Sequence, residues 1–192
     1  MAQLCIAQDP EADALLARDP FSLLVGMLLD QQYPMEAAFK GPLKLTSRLG
    51  GDHLDPAAIS AMDTDAFADL AATPPAIHRY GRSMAGRVQQ MARVVVDEYG
   101  GDASAIWASA ASGQELFDRL VALPGWGEMK AKIFTALLGK QLGVTPKGWR
   151  EAAGAYGEKG ATRSVADVTD AASLQAVRAF KQEQKKAAKA KV

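Results

Sequence analysis

The sequence predicts an all-α fold, on three observations. Apolar residues recur at three- and four-residue spacing along most of the chain. The strict alternation that marks a half-buried strand is rare. Asp before a periodic segment, Pro at its first position and Gly just past its end recur as helix punctuation.

The elements follow in order. Residues 19–32, DPFSLLVGMLLDQQ, open with Asp19 as an N-cap and Pro20 at the first helical position. Phe21, Leu23, Leu24, Val25, Met27, Leu28 and Leu29 surround this helix on most sides, which predicts a central, buried element. Residues 36–49 give a second helix, closed by Gly50-Gly51. DPAAISAM and DTDAFADLAA each start on an Asp cap and predict two short helices before the Pro74-Pro75 break. From Ser83 onward, Met84, Val88, Met91, Val95 and Tyr99 recur at helical spacing up to Gly100-Gly101. SGQELFDRLVAL places Leu116, Leu120 and Leu123 on one stripe. A glycine hairpin follows, and Ile133, Phe134, Leu137, Leu138 and Leu142 then form a helix that stops at Gly143. Residues 144–164 are Gly-rich and poorly patterned. A last helix begins near Ala171 and runs into a Lys-rich tail, residues 181–192, expected to be flexible.

A chain of 192 residues, 48% apolar and 23% charged, suits one domain with a real core. Its one cysteine, Cys5, cannot build an internal disulfide, a four-cysteine zinc site or a four-cysteine iron–sulfur cluster. His53 and His78 lack an acid or Cys partner at metal-ligand spacing and read as structural or surface residues. The N-terminal residues are acidic and lack a hydrophobic signal region, and no run of 18 apolar residues occurs. A monomeric cytoplasmic protein that engages no membrane is the expectation.

The net charge of zero conceals a polarised chain. Asp52, Asp55, Asp63, Asp65 and Asp69 lie in a segment with no cation. Arg79, Arg82, Arg87 and Arg93 lie in one with no acid, and the tail carries Lys181, Lys185, Lys186, Lys189 and Lys191 against Glu183 alone. Such segregation permits a nucleic-acid partner that the net charge alone would argue against.

Residues 120–134, LVALPGWGEMKAKIF, place two glycines around one residue between two helices. Glycine is costly in chain entropy unless the backbone needs it. Here Gly125 and Gly127 let the turn's amides point outward, and the next helix adds its free N-terminal amides and positive dipole end. Together they predict an anion site suited to a DNA phosphate, with Lys130 and Lys132 close by and Lys130 facing the phosphate.

These residues resemble the helix-hairpin-helix DNA glycosylase superfamily, of the endonuclease III and 3-methyladenine glycosylase kind. LVALPGWGEMKAKIFTALLG is similar to its Leu-Pro-Gly-x-Gly hairpin and following helix. DPFSLLVGMLLDQQ resembles its buried early helix with a terminal glutamine, and YGRSMAGRVQQMARVVVDEYGGD the helix before the hairpin. The three stretches occur in family order over residues 19–143. The resemblance implies two helical lobes with a cleft between them, lobe A at about 20–130 and lobe B from 1–19 plus 131–180. It also implies double-stranded DNA as partner, no iron–sulfur cluster, and a monovalent cation as a candidate at the hairpin.

Carried over position by position, the catalytic residues thin out. Family members with lyase activity hold a Lys two residues past the second hairpin glycine. Here Glu128 and Met129 follow Gly127, and Lys130 comes one residue late, a helical rotation of about 100°. That argues against a Schiff-base nucleophile. The family's aspartate falls in GVTPKGWR, residues 143–150, which has no carboxylate, and Lys147 stands near its position. Asp30, Glu151 and Asp167 are the replacements to test. Gln31 and Gln32 fall where the family uses a glutamine to fill the gap left by a flipped base, with Gln32 the better match. Tyr33, Trp126, Trp149 and Tyr156 could stack on a base. Trp126 is favoured for contact with DNA, because a large ring between two glycines is hard to bury. The leading expectation is a base-excision-repair DNA glycosylase, a hydrolase without lyase activity. A catalytically inactive DNA-binding relative and a helical protein-interaction module remain the alternatives.

Overall fold

The computed structural model describes residues 3–189 and has eleven α-helices with no strand among them. Most helices lie where the periodicity predicts them. The central one, α2 (Pro20–Leu29), starts on the Asp19 cap, and every residue from Phe21 to Leu29 is buried. Burying each large apolar side chain contributes about 1.5–3 kcal/mol, so this helix organises the core. It packs on α3 (Met35–Leu49), which closes on Gly50 in the left-handed conformation, as the Gly-Gly signal requires.

α4 (Pro56–Ala61) and α5 (Thr64–Ala72) pack against the long α6 (Gly81–Tyr99). Gln89 of α6, 2% exposed, donates to the carbonyls of Ile59 and Met62 and so ties the end of α4 down. α7 (Ala105–Ala108) leads to α8 (Gly113–Val121), the hairpin and α9 (Glu128–Gln141). α8, α9 and α10 (Trp149–Ala153) form a second group, and α11 (Ala171–Lys189) closes the chain.

Two elements escaped the sequence reading. α1 (Pro10–Arg18) has the same Asp-Pro start, Asp9-Pro10, that marks α2 at Asp19-Pro20. It packs on α2 and α3, whereas the lobe division places residues 1–19 beside the post-hairpin helices. α10 lies inside the Gly-rich stretch. It is held by the Trp149 ring, which lies where a side chain at position 139 would stand: a Cβ on Gly139 would come within 2.4 Å of it. The basic tail is helical as far as Lys189, and its last residues, 190–192, lie outside the described residues. Among the described residues no helix is long and apolar enough to cross a membrane.

Candidate nucleic-acid interface and catalytic cleft

The hairpin glycines turn out to have different physical reasons. Gly125 has φ +79°, and a Cβ there would stand 3.0 Å from a Leu28 methyl and 3.4 Å from the Arg87 side chain. Conformation and packing both demand glycine, and the turn is thereby pressed onto α2 and α6. Gly127 is extended at φ −116°, ψ 174°, and a Cβ there would meet nothing within 4 Å. Neither strain nor crowding explains this glycine. Gly127 is the N-cap of α9 with no capping side chain, and Ala131 is the first amide of the helix to find an acceptor, the Gly127 carbonyl at 3.0 Å. The amides before it have no recorded acceptor among the described residues and lie at the positive end of a fourteen-residue helix.

Trp126, between these glycines, corrects the expectation of an exposed ring. It is 7% exposed and meets Phe134 edge-on at 5.1 Å between ring centres. The turn folds back over the core, so the indole anchors the hairpin from beneath instead of reaching DNA. Its Nε1 is buried with no hydrogen-bond partner among the described residues. Trp149, also buried, is covered by Arg150 and α9 and offers no stacking face. Lys132 stays on the outer surface, half exposed, 3.8 Å from Glu128 and over the Phe117 ring.

Lys130 is the larger correction. It does not face the phosphate position: its Nζ turns inward and donates to the carbonyls of Met27 at 2.7 Å and Leu28 at 2.9 Å. These are orphan carbonyls at the C-terminal end of α2, where the helix dipole favours a cation. Burial pulls the ammonium down to about 8, while the nearby Asp30 carboxylate works to hold its proton and Arg87 opposes it. The offset of one residue, read as turning Lys130 away from the pocket, places it at the end of α2 instead.

Asp30 is the C-cap residue of α2 and lies in the same place. Burial raises its pKa above the ordinary carboxylate range, and the cations of Lys181 and Lys130 partly offset that. The fold therefore brings within electrostatic reach three residues that no sequence spacing pairs: Asp30 from the end of α2, Lys130 from the hairpin helix and Lys181 from α11.

Beside this cluster the loop after α2 is braced. Arg87 donates to the Gln31 side-chain oxygen at 3.0 Å. The His78 Nδ1 accepts the Tyr80 amide at 3.0 Å, so the ring proton sits on Nε2 and is donated to the Gln31 carbonyl, also at 3.0 Å. Burial lowers the His78 pKa, helped by Arg79, Lys130 and Arg87, which keeps this neutral tautomer. Gln31 is thus held in place, while Gln32 is exposed with φ +52°, a left-handed conformation that costs a non-glycine residue of order 1 kcal/mol. A pocket of about 210 Å³ opens here, lined by Gln31, Gln32, His78, Tyr80, Ser83 and Arg87, among others. Tyr80 is 51% exposed with the Arg79 guanidinium over its ring at 4.7 Å. Arg87 and Lys181 were legible only as members of cation-rich segments, not as neighbours of Asp30 and Gln31, and Tyr80, inside the acid-free segment 78–93, was missed.

The other candidate acids do not join the cleft. Glu151 is exposed on the first turn of α10, on the α8–α10 group, and the structure records no bond from it to a cleft residue. Asp167, 4% exposed, is consumed by structure, which corrects its reading as a catalytic acid. One oxygen pairs with Lys140 at 2.6 Å, and the other accepts the amides of Arg163 and Ser164 at 2.9 and 3.2 Å. Asp167→Ala leaves Lys140, 15% exposed, without its partner, and breaking such a buried pair costs about 3–5 kcal/mol. Urea unfolding is expected to show that loss, with the activity per folded molecule unchanged. Normal stability with activity gone would return Asp167 to the catalytic site.

Among the described residues no group of three or more His, Cys, Asp or Glu could hold a metal ion. A monovalent cation at the hairpin would take backbone oxygens, and the turn carbonyls of Pro124, Gly125 and Trp126 accept no donor from the described residues. The donor set fits such a cation.

A family model described as HhH-GPD superfamily base excision DNA repair protein covers residues 25–192. No curated protein matches the chain.

Proposed function

The chain belongs to the HhH-GPD superfamily of base excision DNA repair proteins, and from that premise we propose that it is a monofunctional DNA glycosylase with Asp30 as its catalytic carboxylate. The family carries the general role, glycosylase-type repair on DNA. The finer reading is supported by one observation: Asp30, the C-cap of the helix whose carbonyls hold Lys130, has its pKa raised by burial and feels the charges of two cations.

In this reading the hairpin amides and Lys132 hold backbone phosphates of duplex DNA and position it without reading sequence. The two lobes meet at the cleft, the target base leaves the stack, and Gln32, exposed and already in a strained conformation, enters the space vacated. Ionised Asp30 offsets the positive charge that develops on the sugar and accepts a proton from the attacking water. The bond from the base nitrogen to the sugar breaks, and the base departs with a proton from solvent. Lys130 keeps its two carbonyl bonds and stays an ammonium below about 8. Those two bonds turn the amine to the end of α2, away from the position a Schiff-base nucleophile would take.

The window 143–150 favours the second reading, a DNA-binding relative without turnover, because Lys147 there is exposed and no carboxylate accompanies it. The deciding experiment is a single-turnover incubation with duplexes carrying uracil, hypoxanthine, alkylated or oxidised bases, each reaction split with and without alkali. Breaks that need alkali are the expected result. Breaks without alkali would overturn the monofunctional assignment and point to the Lys130 amine. No breaks on any duplex, beside salt-sensitive binding, would favour the inactive relative.

A further inference from the structure

The C-terminal helix is charged in a way that neither the core nor the cleft explains. α11 is seated by its first half: Leu174 and Val177 are buried, Arg163 covers the Phe180 ring at 5.4 Å, and Arg178 pairs with Glu36 in the first turn of α3. That ion pair ties α11 across to the element that follows the Asp30 loop. One turn further on, Lys181 is near enough for its charge to act on the Asp30 carboxyl. From Gln182 to Lys189 every residue is exposed, so the second half of the helix projects from the body.

The charges on this half are not scattered. Lys181, Lys185 and Lys189 recur every four residues, so they share a face only about 80° wide, with Lys186 on its flank. Glu183, the one acid of the segment, lies about 200° from Lys181, on the opposite side. The stripe is about 12 Å long, three to four nucleotide steps of one DNA strand. It begins with the lysine whose charge acts on Asp30, so in the glycosylase reading it continues the surface on which the duplex is held.

We propose that the Lys181–Lys185–Lys189 face of α11 is a second phosphate-binding surface, which tracks the DNA backbone outward from the Asp30 end of the helix. This rests on the glycosylase reading for the presence of DNA and goes beyond it in assigning the tail helix to the flanking strand. The partner is a polyanion with regularly spaced charges. The stripe reads no bases, so its contribution is uniform across sequences.

The test is salt-dependent binding of the full chain to an undamaged duplex, comparing the wild type, Lys185→Gln/Lys189→Gln and Gly127→Asp. Glutamine keeps helix propensity close to that of lysine, and both positions are exposed, so circular dichroism and the melting midpoint are expected to be unchanged. Removing two phosphate contacts should flatten the slope of log K against log salt by about 1.8. If binding is equal at 1 M salt, that amounts to roughly sixty-fold weaker binding at 0.1 M. An unchanged slope in the double variant, beside lost binding in Gly127→Asp, overturns this proposal alone. A wild-type chain with no salt-dependent duplex binding overturns the glycosylase reading as well. If the double variant keeps its duplex slope but loses binding to vesicles containing phosphatidylserine, the helix is a membrane-surface element and the proposal falls.

Discussion

Gly127→Asp is expected to abolish tight duplex binding while leaving the protein as stable as before, or slightly more so. The two effects have the same origin. Position 127 is an N-cap with extended backbone and open space around it, so any side chain fits. Asp is among the best N-cap residues, and relative to Gly it gains a few tenths of a kcal/mol by accepting the first free amides of α9. Those are the amides proposed to hold the phosphate. The carboxylate therefore occupies the anion site and repels what should enter it. Losing the charge-assisted bonds and adding a like charge costs about 2–4 kcal/mol, a roughly 30- to 800-fold loss of affinity. Gly127→Asn competes for the same amides without the charge and should fall between Asp and wild type. Titrations of a labelled duplex at fixed salt, paired with thermal melts, separate the outcomes. Unchanged affinity in the Asp variant would remove the hairpin as a phosphate site.

Asp30→Asn is expected to split chemistry from binding. The structure records no hydrogen bond to the Asp30 side chain, so the isosteric amide removes a charge and breaks no contact with the rest of the fold. Turnover should fall by about 10²–10⁴, the usual worth of a positioned acid–base group. The Kd for duplex should stay the same or tighten, because a negative charge leaves a surface that faces phosphate. A residue that only supported the fold would move both together.

The pH profile gives the second readout. The proposed role needs the carboxylate ionised, so the rate falls as pH drops through the Asp30 pKa. Burial has raised that pKa, so the acid limb should lie above the ordinary carboxylate range and vanish in the variant. On the alkaline side, Lys130 loses its proton near about 8. Its linkage to stability has a definite sign. Between about 8 and the unfolded value of 10.5, the unfolded chain binds a proton that the folded chain does not, so this group adds stability as pH rises through that window. Excision in Asp30→Asn within a few-fold of wild type would remove Asp30 as the catalytic carboxylate.

The sequence by itself determined the helical class, the burial of α2, the hairpin and the family. Each of these is written in local terms. A helix shows its period, its Asp-Pro start and its Gly stop within a few residues, and the Leu-Pro-Gly-x-Gly hairpin lies in one short stretch. The same local signal stood at Asp9-Pro10, so α1 was legible although the reading passed over it. α10 was not, because it depends on Trp149 lying against a distant Gly139.

The site itself was decided by the tertiary structure. Asp30, Lys130 and Lys181 lie about 50 to 150 residues apart in sequence, and no periodicity connects them. What joins them is the C-terminal end of α2: its free carbonyls take the Lys130 ammonium, and its C-cap carboxyl, Asp30, feels the charges of Lys130 and Lys181. Burial divided the candidates in the same way. It took Asp167 into an ion pair and Trp126 into the core, and it left Asp30 with no hydrogen-bond partner among the described residues and Gln32 exposed. Residue type and spacing state what chemistry a side chain can do. Whether it remains available for that chemistry depends on which neighbours the fold has already given it.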